Sequence, residues 1–171
     1  QLPQMELESP DLPFGLGSGA AVIYGSTGGV AEAVVRYCLP DKSKNTLREL
    51  QYSALRGNES IREATVQVGD REIKLAVVHG LINAQKLLKE IDAGTAYYDL
   101  VEVMTCPNGC VGGAGQPYGL RQKKQDRAAG LYAADRAAPF KRAEKNPVVL
   151  DYLKNYTPEE RHELLHVSYS D

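Results

Sequence analysis

The chain has 171 residues, 43% of them hydrophobic, with 20 lysines and arginines against 22 aspartates and glutamates. That length carries one compact domain with a real core. The near-balance of charge excludes a global attraction to nucleic acid or an acidic membrane, and no apolar run is long enough for a spanning helix. Three cysteines, two of them in one short loop, are unlike the disulfide framework of a small secreted domain and set the expectation of a reducing, cytoplasmic compartment.

Residues 1–17, with Pro3, Pro10 and Pro13 among acidic side chains, lack the basic-then-apolar order of a signal peptide and read as an extended lead-in. Ala20, Ala21, Val22 and Ile23 form a buried segment that leads through the glycine-rich turn Tyr24-Gly25-Ser26-Thr27-Gly28-Gly29 into a helix. Val30, Val34, Val35 and Cys38 are expected on its inner face, with Cys38 in the core. Pro40 stops this helix at Leu39. A second unit begins near Leu50. Ala64, Val66 and Val68 alternate with polar residues, Gly69-Asp70 makes a two-residue turn, and Ile73, Leu75 and Val77 resume the alternation, which predicts a β-hairpin.

After His79-Gly80, the spacing of Ala84, Leu87, Leu88 and Ile91 predicts an amphipathic helix ended by Gly94. Residues 98–104 read as a buried strand. Strand, helix and strand in that order predict a right-handed parallel crossover, and the loop that follows then lies at the carboxyl end of the sheet, where open α/β sheets bind ligands. Residues 121–136 are helical and charged, a solvated face to which no binding role is assigned. Asn146-Pro147 and Thr157-Pro158-Glu159-Glu160 mark two more helix starts, the second with a capping-box glutamate. The predicted fold is a mixed α/β sheet with a crossover and a hairpin, divided into a lead-in (1–17), an α/β lobe (18–136) and a small helical tail (137–171).

Three motifs could carry chemistry. Cys106-Pro107-Asn108-Gly109-Cys110 sets two soft thiols in one loop, a ligand pair that iron–sulfur clusters and zinc select; a bare Cys-x-x-x-Cys fits two free thiols or a local disulfide as well. Gly112, Gly113 and Gly115 shift the balance toward a bulky close neighbour, because their conformational freedom is costly to fix. The turn 24–29 suits either an anion at a helix start or tight packing, and lacks the spacing of a phosphate or dinucleotide loop. His162-Glu163-Leu164-Leu165-His166 matches the zinc-peptidase signature, but a catalytic zinc needs a third ligand and only five residues follow His166.

The run Glu102-Val103-Met104-Thr105-Cys106-Pro107-Asn108-Gly109-Cys110, with its glycines and Gln116-Pro117, resembles the third cysteine signature of iron-only hydrogenases. Residues 18–33 are similar to that family's Ser-Gly-Ala-x-x-Ile-Phe-Gly-Ala-Thr-Gly-Gly-Val-x-Glu-Ala segment. The tail, with Asn146-Pro147, the His-Glu-Leu-Leu-His run and Tyr169, resembles the segment that closes the catalytic domain or forms a separate small subunit.

The resemblance implies the C-terminal lobe of a hydrogenase catalytic domain, whose reaction is the reversible reduction of protons to hydrogen. Its cofactor is a 4Fe–4S cubane joined by a cysteine thiolate to a di-iron unit, together the H-cluster. By position, Cys106 and Cys110 would ligate the cubane, Cys110 would bridge to the di-iron unit, and Met104, Tyr24 and Gly25 would line the pocket. Tyr24, Thr105, Asn108 and Ala114 replace the family's usual Phe, Ala, Gly and Gly. The other two cysteine signatures, Thr-Ser-Cys-Cys-Pro and Met-Pro-Cys-x-x-Lys, are absent from these 171 residues. Expected partners are therefore the missing N-terminal lobe that carries them and a ferredoxin or nicotinamide-linked electron donor. The isolated chain is expected to be apo and inactive. A non-catalytic iron–sulfur assembly protein is the alternative, and a zinc peptidase the third reading.

Overall fold

The computed structural model describes residues 15, 17–39, 55–57, 59–119 and 121–168. Most of the lead-in, Pro40, the start of the second unit near Leu50, and Tyr169 lie outside the described residues.

The hairpin forms as its alternation requires. Strand β1 (Ile61–Val68) pairs antiparallel with β2 (Arg71–His79) across Gly69-Asp70, with Ala64 opposite Leu75 and Val66 opposite Ile73. Gly69 has φ +61°, the left-handed conformation that a two-residue turn demands. Helix α3 (Leu81–Asp92) then returns the chain so that β3 (Leu100–Met104) pairs parallel with β2, giving the order β1-β2-β3.

The central strand separates two apolar layers. Leu75 and Val77 pack against Ala31, Val35, Leu39 and Leu55, whereas Ala76 and Val78 pack against Ala84 and Leu87 of α3. A sheet covered on both faces makes Leu75 to His79 continuously buried, as expected of a parallel central strand. β3 is half-buried instead of buried: it is an edge strand among the described residues, and Val103 on its outer face is 52% exposed. Just before it, the Tyr98 hydroxyl donates to Glu63 of β1, and this hydrogen bond pushes the phenol up to about 12.

The apolar run before the glycine turn is a short helix α1 (Gly19–Val22), capped by the Ser18 hydroxyl, followed by a 3-10 turn (Ile23–Gly25). Helix α2 (Gly29–Cys38) ends where predicted, and its inner face is the predicted one only at Val35. Cys38 is exposed, not core, and Val34 is 39% exposed, while Ala31, Glu32, Val35 and Arg36 are buried. The helix is turned toward an ion-pair cluster that apolar periodicity does not register.

Helix α4 (Arg121–Ala137) supplies the other side of that cluster, so its solvated face is only part of it: Asp135 is fully buried. The Arg36 guanidinium donates to Glu32 at 2.6 Å, to both Asp135 oxygens at 2.8 Å and to the Lys141 carbonyl at 3.0 Å. Arg56 pairs with Glu32 at 2.8 Å and approaches Asp135 at 3.6 Å, which leaves two cations and two anions in balance. Burial pulls the Arg36 proton affinity down, and the bonds and charges of Asp135 and Glu32 outweigh it, so the group is held above its ordinary value.

The C-terminal helices start as predicted. Asn146 accepts from the Val148 N–H at the start of α5 (Pro147–Asn155), and Thr157 and Glu160 form a reciprocal capping box at α6 (Pro158–Leu165).

Candidate metal centre

Glu102 and Met104 leave the inner face of β3 toward the glycine turn. Glu102 is 7% exposed; one carboxylate oxygen accepts from the Gly28 N–H at 2.6 Å and the other from the Ala31 N–H at 2.7 Å. These are donors that the first turn of α2 leaves without helical partners, and the negative charge opposes the positive end of the helix dipole. The glycine turn therefore does hold an anion, and the anion is the chain's own side chain. A glutamine at 102 keeps only one acceptor and sets an amide NH2 against a buried N–H. Glu102→Gln is expected to cost about 1–3 kcal/mol, read as a lower thermal midpoint of the chain.

The glycines of the turn are required by packing. Gly28 has φ +91°, and a Cβ there would lie 2.0 Å from the Leu55 carbonyl oxygen; one on Gly29 would lie 1.8 Å from that of Ile23. Arg62, itself buried, donates to the Thr27 carbonyl at 3.0 Å and fixes the turn from the side of β1.

The cysteine loop docks on this turn. The Thr27 N–H donates to the Asn108 carbonyl at 3.2 Å. Asn108 (φ +69°) and Gly109 (φ +84°) are consecutive left-handed residues. A Cβ on Gly109 would meet the Thr27 nitrogen at 2.9 Å and both the Gly25 carbonyl oxygen and Met104 Sδ at 3.0 Å. Gly25 and Met104, two of the three proposed pocket-lining residues, thus converge on the loop between the two cysteines, while Tyr24 is 48% exposed beside it. Local bonds close the loop on itself: Gly109 N–H to the Cys106 carbonyl at 3.0 Å, and Gly113 N–H to that of Cys110 at 3.0 Å.

Both cysteines are free thiols, Cys106 half-buried and Cys110 exposed. The surrounding glycines divide into two kinds. Gly109 and Gly112 have protein neighbours, the latter with the Pro107 carbonyl oxygen 2.1 Å from where its Cβ would sit. Gly115 does not: nothing lies within 4 Å of a Cβ there, whereas one on Gly113 would meet the Cys110 carbonyl oxygen at 3.3 Å and Cys106 Sγ at 3.7 Å. Two soft thiolates beside open, side-chain-free backbone fit two corners of an iron–sulfur cluster. They do not fit a complete site, since no three His, Cys, Asp or Glu residues among the described ones are grouped to hold a metal ion.

Helix α4 contributes residues that sequence reasoning missed. Arg127 donates to the Val111 carbonyl at 3.0 Å and the Pro117 carbonyl at 2.6 Å. The Tyr132 hydroxyl donates to Ser26 at 3.4 Å under the Arg56 guanidinium, whose carbon stands 3.9 Å from the ring centre, and burial raises the phenol above its ordinary range. A cleft of about 370 Å³ runs between the glycine run and α4, with Lys124 and Arg127 in its wall. No local pattern marks these residues, because their partners are backbone carbonyls and a distant serine.

The His-Glu-x-x-His match gains no third ligand among the described residues. The His162 and His166 rings stack at 4.5 Å, but His166 has extended backbone and lies beyond the end of α6. Among the described residues, no helix is long and apolar enough to cross a membrane.

Comparison with known proteins bears on the whole chain. The family described as iron only hydrogenase large subunit, C-terminal domain, matches residues 1–114, and that described as iron hydrogenase small subunit matches residues 121–171. The chain is 39% identical over 168 residues to NADP-reducing hydrogenase subunit HndD of Solidesulfovibrio fructosivorans, covering 95% of this chain and 28% of that protein. Iron hydrogenase 1 of Clostridium pasteurianum is 32% identical over 182 residues, covering 99% of this chain and 32% of its own. A solved FeFe-hydrogenase from Chlamydomonas reinhardtii superposes with a TM-score of 0.65 at 32% identity, covering 99% of this chain and 51% of that one. A probable cytosolic Fe-S cluster assembly factor of Drosophila willistoni is 30% identical over 150 residues, 84% of this chain and 31% of that protein. The chain therefore spans about a third of the length of the curated relatives it matches.

Proposed function

Since this chain belongs to the iron-only hydrogenase family of oxidoreductases, we propose that its Cys106 and Cys110 supply two of the four thiolates that hold the cubane of an H-cluster. The observation that carries this reading is the convergence of the glycine turn 24–29, the Glu102–Met104 strand end and the thiol loop at one end of the sheet. The cluster, when bound, would relay electrons from an external donor and supply the metal at which two protons are reduced to one hydrogen molecule. The chain's own residues would bind and orient the group: Cys106 and Cys110 would ligate it, Gly115 would leave room, and Met104, Tyr24 and Gly25 would line its pocket.

The remaining thiolates come from the large-subunit segment that carries the other two cysteine signatures, and electrons arrive from a ferredoxin or a nicotinamide-linked module. A relative's name as an NADP-reducing hydrogenase subunit supports the latter. Thiols kept free for ligation fit a reducing, cytoplasmic compartment. The α/β lobe ends at residue 136, one residue short of the end of α4, and residues 137–171 form the helical tail; the stretch similar to the small subunit begins earlier, at residue 121, and includes all of α4. The assembly-factor relative favours a second reading, a non-catalytic carrier of an iron–sulfur cluster.

Anaerobic reconstitution with iron and sulfide separates these readings. The chain alone is expected to retain less than one cubane and to evolve no hydrogen. Joined to a segment carrying the other two signatures and matured, it is expected to hold four cubane irons and evolve hydrogen, and Cys106→Ser or Cys110→Ser should reduce both to background. A matured complex with intact iron and no hydrogen would support the assembly reading. A stable, hydrogen-evolving cluster on the chain alone would overturn the proposal.

A further inference from the structure

We propose that Arg127 is a positioning residue that holds the cysteine loop in its ligand-ready form from outside the loop. The inference rests on the reading of Cys106 and Cys110 as cluster ligands. The guanidinium bridges two carbonyls, Val111 at 3.0 Å and Pro117 at 2.6 Å, that bracket the glycine run 112–116. That run is the part of the loop with the most conformational freedom and, at Gly115, the fewest neighbours. A planar fork of fixed N–H directions can bind two acceptors at once, which a lysine ammonium on a flexible stem does not reproduce.

The clamp needs α4 to stand still, and the structure supplies the means. Two turns further along the same helix, the Asp135 carboxylate receives Arg36 of α2 at 2.8 Å. Gly19 of α1 packs so closely on it that a Cβ would sit 2.1 Å from its oxygen. Leu131, between these two points, stands 2.8 Å from where a Cβ of Gly25 would lie. One face of one helix thus reaches the ion-pair cluster, the glycine turn and the cysteine loop in succession. Residue 127 falls within the stretch similar to the small subunit, while the ligands fall within the stretch similar to the large one. The small-subunit-like part therefore acts on the metal centre without contributing a ligand.

The test uses the full chain in a Cys38→Ser background, which removes the exposed third thiol, with cadmium ion as the soft-metal probe. Loss of two charge-assisted hydrogen bonds is expected to weaken cadmium binding about tenfold or more in Arg127→Ala, read from the thiolate-to-cadmium absorption. Arg127→Lys should fail to rescue, whereas added guanidinium ion should restore part of the affinity in Arg127→Ala alone. Amide exchange at Gly113 and Gln116 should accelerate in the same variants with no metal present. Cadmium binding that survives Cys106→Ser would defeat the ligand reading, and the exchange result would still judge the clamp. Unchanged exchange and unchanged cadmium affinity in Arg127→Ala, or full rescue by lysine, would overturn the proposal.

Discussion

Replacing Asp135 by alanine is expected to cost about 3–5 kcal/mol, enough to unfold a domain of ordinary stability or leave it marginal. The carboxylate is fully buried and receives two of Arg36's hydrogen bonds. Without it, Arg36 and Arg56 share the single carboxylate of Glu32, and the Arg36 guanidinium, itself 1% exposed, cannot turn to water. The cost comes from the stranded charge more than from lost attraction, since Arg36, Glu32 and Asp135 have already given up their hydration in the intact cluster. A second variant separates the two. Glu32→Leu, Arg36→Met and Asp135→Leu together leave only Arg56, whose side chain is 14% exposed and can reach solvent. That triple variant is expected to recover most of the loss. Urea denaturation of the three proteins is the measurement, and Asp135→Ala within about 1 kcal/mol of the parent would refute the account.

Gly29→Ala should be nearly as damaging, against the ordinary sign of such a change. Alanine in a helix is usually favoured over glycine by about 0.5–1 kcal/mol. Here the new Cβ would sit 1.8 Å from the Ile23 carbonyl oxygen and 3.2 Å from the Tyr24 nitrogen, both backbone atoms of the preceding turn. The start of α2 must move, and Gly28 N–H and Ala31 N–H then leave the Glu102 oxygens they now meet at 2.6 and 2.7 Å. A loss of at least about 3 kcal/mol is expected. Gly115→Ala is the control, because it has no neighbour within 4 Å and no positive φ. Its stability should stay within about 0.5 kcal/mol of the parent. Thermal midpoints of the pair check this, and equal midpoints would show that the close approach at Gly29 relaxes without cost.

The contrast between these two glycines shows what a sequence discloses. The hairpin, the crossover and the capped helix starts were legible because each rests on neighbours within a few positions: an alternation, a Gly-Asp turn, an Asn-Pro or Thr-Pro start. The face of α2 was not. Apolar spacing pointed to Val30, Val34, Val35 and Cys38, and the helix is rotated so that Glu32 and Arg36 face inward, because their partner Asp135 lies 99 positions beyond Arg36. The cysteine loop was legible as a candidate ligand pair, through its thiols, its glycines and the resemblance of the run around them. That most of its glycines meet protein atoms, and that Arg127 binds a carbonyl on either side of the glycine run, became visible only once the loop was seen against the glycine turn and α4.

The Glu102 cap joins residues separated by 74 positions in the case of Gly28 and by 71 in that of Ala31. Contacts of such span form only after the intervening chain has closed, at an entropic cost that local turns do not bear. The hairpin and the isolated helix turns can come early; the seat of the cysteine loop cannot. Before folding finishes, Cys106 and Cys110 are two thiols on a wandering segment with no fixed distance to Met104 or to the glycine turn. On the proposed reading of Cys106 and Cys110, insertion of a cluster is therefore a late event in the life of this chain, and anything that captures the thiols earlier competes with it.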